Sequence, residues 1–222
     1  KQFVADASHE LKTPVTILKG QLTGMLEGVG VYQNRDKYLL RSLQVTGRME
    51  NLVQEMLTIS RMEAGAAAMK QEPVGLSALL EEQLKLDAGL LEQRSQHLDK
   101  ELTPGITTIG DAVLLGKVLG NLISNASLYS PDGAGIRIWC GWQDGRPAVT
   151  VENTEAHIGE DALPHLYEAF YREECSRNRA SGGSGLGLYL VKMILDRHRA
   201  TCTIENTADG VRATVCFPSI FD

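Results

Sequence analysis

The sequence predicts an α + α/β protein: a helical hairpin that pairs with a second copy into a four-helix bundle, followed by a two-layer α/β sandwich. Three observations carry that expectation. Up to Gly65, apolar residues recur at spacings of three and four. A run of small residues, Ala66-Ala67-Ala68, then breaks the pattern. Beyond it, helical runs alternate with β-branched stretches closed by Asp-Gly pairs. The expected division is therefore 1–66 and 67–222.

The first helix carries Phe3, Ala7, Leu11, Val15, Leu18, Leu22 and Met25 on one stripe. Gly28, Gly30 and the cluster Asn34-Arg35-Asp36 end it and begin the next. Pro14 should kink it, because proline supplies no backbone donor and crowds the preceding turn. The second helix runs through Leu39, Leu43, Val53, Met56 and Ile59, with Gly65 as its cap. Two helices alone enclose too little core, so a stripe this long predicts a homodimer.

In the second part, Glu72-Pro73-Val74 reads as a short strand, and Leu79, Leu80, Leu84 and Leu91 mark a helix. Residues 114–129 read as another helix. Strands are expected over 136–142, 148–152, 202–205 and 213–217, with hairpin turns at Asp144-Gly145 and Asp209-Gly210. Trp139 and Trp142 lie three apart, hence on opposite strand faces, and core packing would account for one of them.

Composition narrows the class. With 222 residues, 43% of them hydrophobic, the chain can bury a sizeable core. A net charge of −6 argues against a nucleic-acid binder. Cys140, Cys175, Cys202 and Cys216 lack metal or redox spacing and read as reduced thiols. No apolar run is long enough to span a bilayer. The chain opens on Lys1-Gln2-Phe3 already in helical pattern, so it is expected to be a fragment of something longer.

Three segments carry chemistry. The first, Asp6-Ala-Ser8-His9-Glu10-Leu-Lys-Thr13-Pro14, places an imidazole on the polar side of a helix with a carboxylate beside it. A helical zinc site would need a second His at position 13, which is Thr13. The imidazole then suits a nitrogen nucleophile kept neutral and oriented. The second segment sets Asn121 and Asn125 on one helix face. Such amides serve either as structural hydrogen-bonders or as hard oxygen ligands for Mg²⁺. The third is Gly182-Gly183-Ser184-Gly185-Leu186-Gly187, running straight into a helix. It is neither a Walker loop nor a dinucleotide fingerprint, and a flexible linker would look similar. Its passage into a helix favours an anion cradle.

With Asn153-Thr154-Glu155 and Phe170-Tyr171-Arg172 between them, these segments in this order resemble the boxes of sensor histidine kinases over nearly the whole chain. The resemblance implies a dimerisation and phosphoacceptor domain followed by an ATP-binding sandwich. It implies that His9 accepts the γ-phosphoryl group of ATP and passes it to an aspartate on a response regulator receiver domain. Glu10 would orient and deprotonate the imidazole, and Thr13 would place a hydrolytic water for phosphatase action. Asn125 would hold Mg²⁺, and Asn121 would contact phosphates. Tyr129, Asn153, Arg172, Gly183, Gly185 and Gly187 would line the nucleotide, under a lid over 155–184. A membrane anchor through segments preceding this fragment is also implied, with the fragment in the cytoplasm. The run from Ser184 to Leu195 also resembles the vancomycin-resistance type.

Two departures stand out. The basic residue expected before the tyrosine is Leu128. The adenine box has Asn153, Glu155 and His157 where the family reads Asp, Gly and Gly. Asn153 can accept from the adenine amino group, but a carboxylate would accept more strongly. Two alternatives remain: a non-catalytic dimeric scaffold docking a regulator, favoured by that box, and an ATP-driven chaperone or topoisomerase subunit, which would not need the His9 helix.

Overall fold

A computed structural model describes residues 2–65, 69–172 and 183–219. Two long helices come first, α1 (Gln2–Leu26) and α2 (Arg35–Glu63), joined through a 3₁₀ turn at Gly30–Tyr32. Asn34 caps α2 by accepting from the Lys37 amide. Helix α1 continues through Pro14, whose missing N–H leaves the Glu10 carbonyl without its intrahelical donor. Gly65 closes α2 with φ +63°, the left-handed cap expected of it.

The sandwich follows in the order β1 (Glu72–Gly75), α3 (Leu76–Gln93), β2 (His97–Leu102), β3 (Thr107–Gly110), α4 (Ala112–Leu128), β4 (Gly135–Gln143), β5 (Arg146–Thr154), α5 (Gly187–Arg197), β6 (Thr201–Asn206) and β7 (Gly210–Cys216). Strands β1 and β3 form a two-stranded antiparallel ribbon. The main sheet runs β2-β4-β5-β7-β6 and is antiparallel except for the parallel β2–β4 pair. The Asp144-Gly145 turn has φ of 51° and 74°, the left-handed pair that a two-residue hairpin requires.

Helices α3, α4 and α5 cover one face of that sheet. Their Leu80, Leu115, Leu119, Ile123, Leu190 and Ile194 meet Ile136, Ile138, Val149, Val151 and Val215 in a continuous core. Leu52, Ile59 and Met62 of α2 belong to the same buried cluster, so the hairpin's C-terminal half is packed onto the sandwich. On the far face of the sheet, Glu152 takes Arg137 Nη1 at 2.9 Å and Arg212 Nε at 2.6 Å. Two guanidiniums thus compensate this buried carboxylate.

Two expectations need amending, and a buried histidine joins them. Strands β2 and β3 are additional to the predicted set, and β2 makes the sheet mixed rather than built only of antiparallel hairpins. Neither tryptophan is core: Trp139 is half-buried over Gly141, and Trp142 is exposed past the helical cover. His198 is buried, with Nδ1 bonded to the Ile194 carbonyl and Nε2 accepting from the Asp111 amide. Part of the expected lid, 173–182, lies outside the described residues, as do Cys175 and Gly182.

Ile123 is wholly buried at the centre of this core. Ile123→Ala should lower unfolding free energy by about 2–5 kcal/mol through lost transfer energy and an unfilled cavity. Urea unfolding followed by circular dichroism reads that loss as a lower midpoint.

Candidate functional site

Helix α4 faces two ways. Leu115, Leu119, Leu122, Ile123 and Ala126 are buried. Asn121 and Asn125 instead border a cavity of about 320 Å³. Across it stand Val151 and Asn153 of β5, with Ile158, Leu166, Ile204, Val211 and Ala213 forming an apolar wall. Tyr129, Arg172, Gly183, Gly185 and Gly187 complete the lining. All eight residues predicted to bind nucleotide therefore converge on one cavity.

The glycines are dictated by close approach. A Cβ on Gly187 would sit 2.7 Å from Asn121 Oδ1, whose own Nδ2 donates to the Lys117 carbonyl. Gly185 has φ +73°, and a Cβ there would lie 2.8 Å from Phe170 Cα. Helix α5 starts at Gly187 with no side-chain cap, so its first N–H groups lack intrahelical partners beside the cavity. Ser184 Oγ accepts from the Leu186 amide at 3.1 Å and donates to Glu55 Oε2 at 2.6 Å.

The last contact joins the two parts of the chain. Arg48, Asn51, Leu52 and Glu55 of α2 also line the cavity. Around them, Tyr189 donates to Glu63, Arg197 donates to the Met62 carbonyl, and Phe3 packs on Phe170 at 5.3 Å. Burial pushes the Glu55 carboxyl above its ordinary range, and the bond from Ser184 and the charge of Lys117 oppose this only in part.

The phosphoacceptor segment is placed elsewhere. His9 and Thr13 are exposed on α1, Glu10 is half-buried, and none of the three lines the cavity. The altered adenine box does not fill it either. Glu155 takes φ +57° with an exposed side chain outside the lining, while His157 is exposed at the rim.

Sequence reasoning missed the α2 residues, which look like an ordinary solvated helix face, and it missed Ser130. Ser130 lies directly behind Tyr129 and takes Asn153 Nδ2 at 2.7 Å. Its position in the Asn121–Pro131 segment was the available signal.

A protein-family comparison matches residues 110–220 to the histidine kinase-, DNA gyrase B-, and HSP90-like ATPases and residues 1–65 to the His Kinase A (phospho-acceptor) domain. The chain is 35% identical to the sensor protein VanSB of Enterococcus faecalis, over 95% of this chain and 47% of that protein. It is 34% identical to the signal transduction histidine-protein kinase BaeS of Escherichia coli, over 98% and 46%. It thus spans about half the length of the curated relatives it matches. The histidine kinase AdeS of Acinetobacter baumannii superposes with TM-score 0.77 at 25% identity, covering 96% of this chain and 98% of that one. The histidine kinase ThkA, solved in complex with the response regulator protein TrrA, gives TM-score 0.79 at 22% identity, covering 99% and 61%, and supports the fold alone.

Because its folded carboxyl is raised, Glu55 gives stability that is full at acidic pH and is lost as pH rises through the folded value. Glu55→Gln should match the parent in acid and be the more stable protein at neutral pH. Urea midpoints measured from pH 4 to 8 should diverge in that direction; parallel curves would remove Glu55 from the contact.

Proposed function

Because the chain belongs to the sensor histidine kinases of two-component systems, carrying their phosphoacceptor and ATPase domains in order, we propose that it transfers the γ-phosphoryl group of ATP to His9 and then to an aspartate of a response regulator receiver domain. The observation that carries this is the convergence of Asn121, Asn125, Tyr129, Asn153, Arg172 and the three glycines on one cavity, while His9 stands exposed on α1.

The adenine enters against the apolar wall, its amino group donating to the Asn153 carbonyl. Phosphates lie toward the α5 N-terminus, where Gly183, Gly185 and Gly187 permit backbone contact. Tyr129 flanks the base, Asn121 contacts the phosphates and Arg172 offsets their charge. Asn125 fits Mg²⁺, because its amide brings a neutral hard oxygen to the cavity and this ion commonly takes one or two protein oxygens plus phosphate oxygens and water. Bound there, it would neutralise charge on the phosphate chain.

At His9, a lone pair on one imidazole nitrogen forms the N–P bond as the bond to the β-phosphate oxygen breaks and ADP leaves. Glu10 takes the proton from the other ring nitrogen. Thr13 places the water that hydrolyses the regulator's phosphoaspartate in the reverse mode. In the present arrangement Glu55 and its neighbours on α2 close the cavity, so transfer requires the sandwich to move off α2.

The domain division follows 1–66 and 67–222, supported by the β1–β3 ribbon and α3 sharing the sandwich core. The molecule acts as a homodimer. Leu39, Leu43, Val53 and Leu57 leave an exposed apolar stripe along α2 that a second copy would cover. We place the chain as the cytoplasmic portion of a membrane-anchored sensor; no helix among the described residues is itself long and apolar enough to cross a membrane.

Labelled ATP should yield an acid-labile phosphoryl adduct. His9→Ala should abolish it, and Asn125→Ala should abolish it without disturbing the dimer. Glu10→Ala should slow it by about 10²–10⁴-fold, the usual worth of general-base assistance, with ATP binding unchanged. Label persisting in His9→Ala would overturn the assignment. Sedimentation at micromolar concentration should give a dimer, which Leu43→Glu shifts to monomer.

A further inference from the structure

We propose that Ser130 fixes which way the Asn153 amide faces, and that this makes the cavity accept adenine and reject guanine. The proposal rests on reading the cavity as a nucleotide site.

The Ser130 hydroxyl lies 2.7 Å from the Ala126 carbonyl and 2.7 Å from Asn153 Nδ2. A carbonyl can only accept, so the single hydroxyl proton is committed to Ala126. Toward Asn153 the serine oxygen therefore has only lone pairs to offer. The NH₂ end of the amide must face it, and the carbonyl end is left for the cavity. Ser130 is 4% exposed and Asn153 5%, so water does not compete for these bonds.

The serine is held from behind. Arg94 Nη2 donates to its backbone carbonyl at 2.6 Å, and Gln96 Nε2 donates to the neighbouring Ser127 and Pro131 carbonyls. The strand that carries the amide is fixed as well: Gly210 packs so closely on the backbone carbonyl of Asn153 and the backbone of Thr154 that no side chain fits at 210. Turning the amide over would set its oxygen against the serine lone pairs.

The orientation has a chemical consequence. Adenine presents an amino donor at its sixth position, matching the Asn153 carbonyl. Guanine presents a carbonyl there, and two acceptors would face each other. An asparagine free to turn would offer its NH₂ to guanine instead, so an amide at 153 discriminates only while Ser130 holds it. A carboxylate would accept in either orientation and would need no such hold for its selectivity.

Calorimetric titration of the whole chain with ATP and with GTP tests this. The parent should prefer ATP. Ser130→Ala should narrow the ratio of ATP to GTP affinities by about tenfold, the worth of one orienting hydrogen bond, largely through gained GTP binding, and Ser130→Thr should keep it. In an Asn153→Asp background, Ser130→Ala should leave the ratio unchanged. A parent that binds both nucleotides equally, or a Ser130→Ala protein with the parent's ratio, would overturn the proposal. A parent that binds neither nucleotide would overturn the nucleotide reading and the proposal with it. ATP binding with an unchanged ratio in Ser130→Ala overturns the amide hold alone.

Discussion

Everything at the site depends on helix α4 serving two environments from one cylinder. Its Leu115, Leu119 and Ile123 must lie against the sheet, since they anchor the core shared by β4, β5 and β7. The 3.6-residue period then leaves Asn121 and Asn125 together on the neighbouring face, four apart and aimed at the cavity. Both helix ends are tied down as well. Asp111 caps the first turn through the Val113 and Leu114 amides while its own amide donates to His198. At the other end the Ser130 hydroxyl donates to the Ala126 carbonyl. A shift of α4 along its axis would therefore displace the two asparagines, the α5 contact through His198, and the Asn153 amide together.

A second constraint comes from α2. Leu52, Ile59 and Met62 bury against the sandwich, and this apolar contact brings Arg48, Asn51 and Glu55 to the cavity. The resulting contact is chemically uneasy. Glu55 is a desolvated acid bonded to Ser184, in the loop whose backbone N–H groups suit an anion. A phosphate chain entering that loop would meet a second negative group. The docked arrangement and a nucleotide-loaded one would thus compete for the same loop.

Much of the fold was legible in the sequence because periodicity and turn chemistry agreed. The α4 and α5 stripes, the Asp144-Gly145 hairpin and the left-handed Gly65 each had one inexpensive conformation. Strand β2 escaped because His97-Leu-Asp-Lys-Glu-Leu102 lies at the edge of the sheet, largely exposed, and has no apolar alternation to betray it. Trp139 misled for the opposite reason: a large apolar residue suggested core but covers Gly141 on the outer face. The cavity lining from β5, α4 and the glycine loop was readable as motifs. The lining from α2 was not, because a helix contributing Arg48, Asn51 and Glu55 at a domain contact has the same pattern as one facing water.

The glycine segment shows why a motif needs the structure to divide its causes. A ligand-based reading assigns Gly187 to the approach of phosphates. Yet the Asn121 oxygen already excludes a side chain there, and Phe170 already excludes one at Gly185. Packing and ligand approach make the same demand at these positions. On the proposed nucleotide reading they do so because the surface that would receive the phosphates is the surface on which α4, α5 and the Phe170 turn converge. Asn153 is the informative contrast. Packing there would tolerate aspartate or asparagine equally in size, so what separates them is the direction of one hydrogen bond. That direction is set by where the proton of Ser130 has to go.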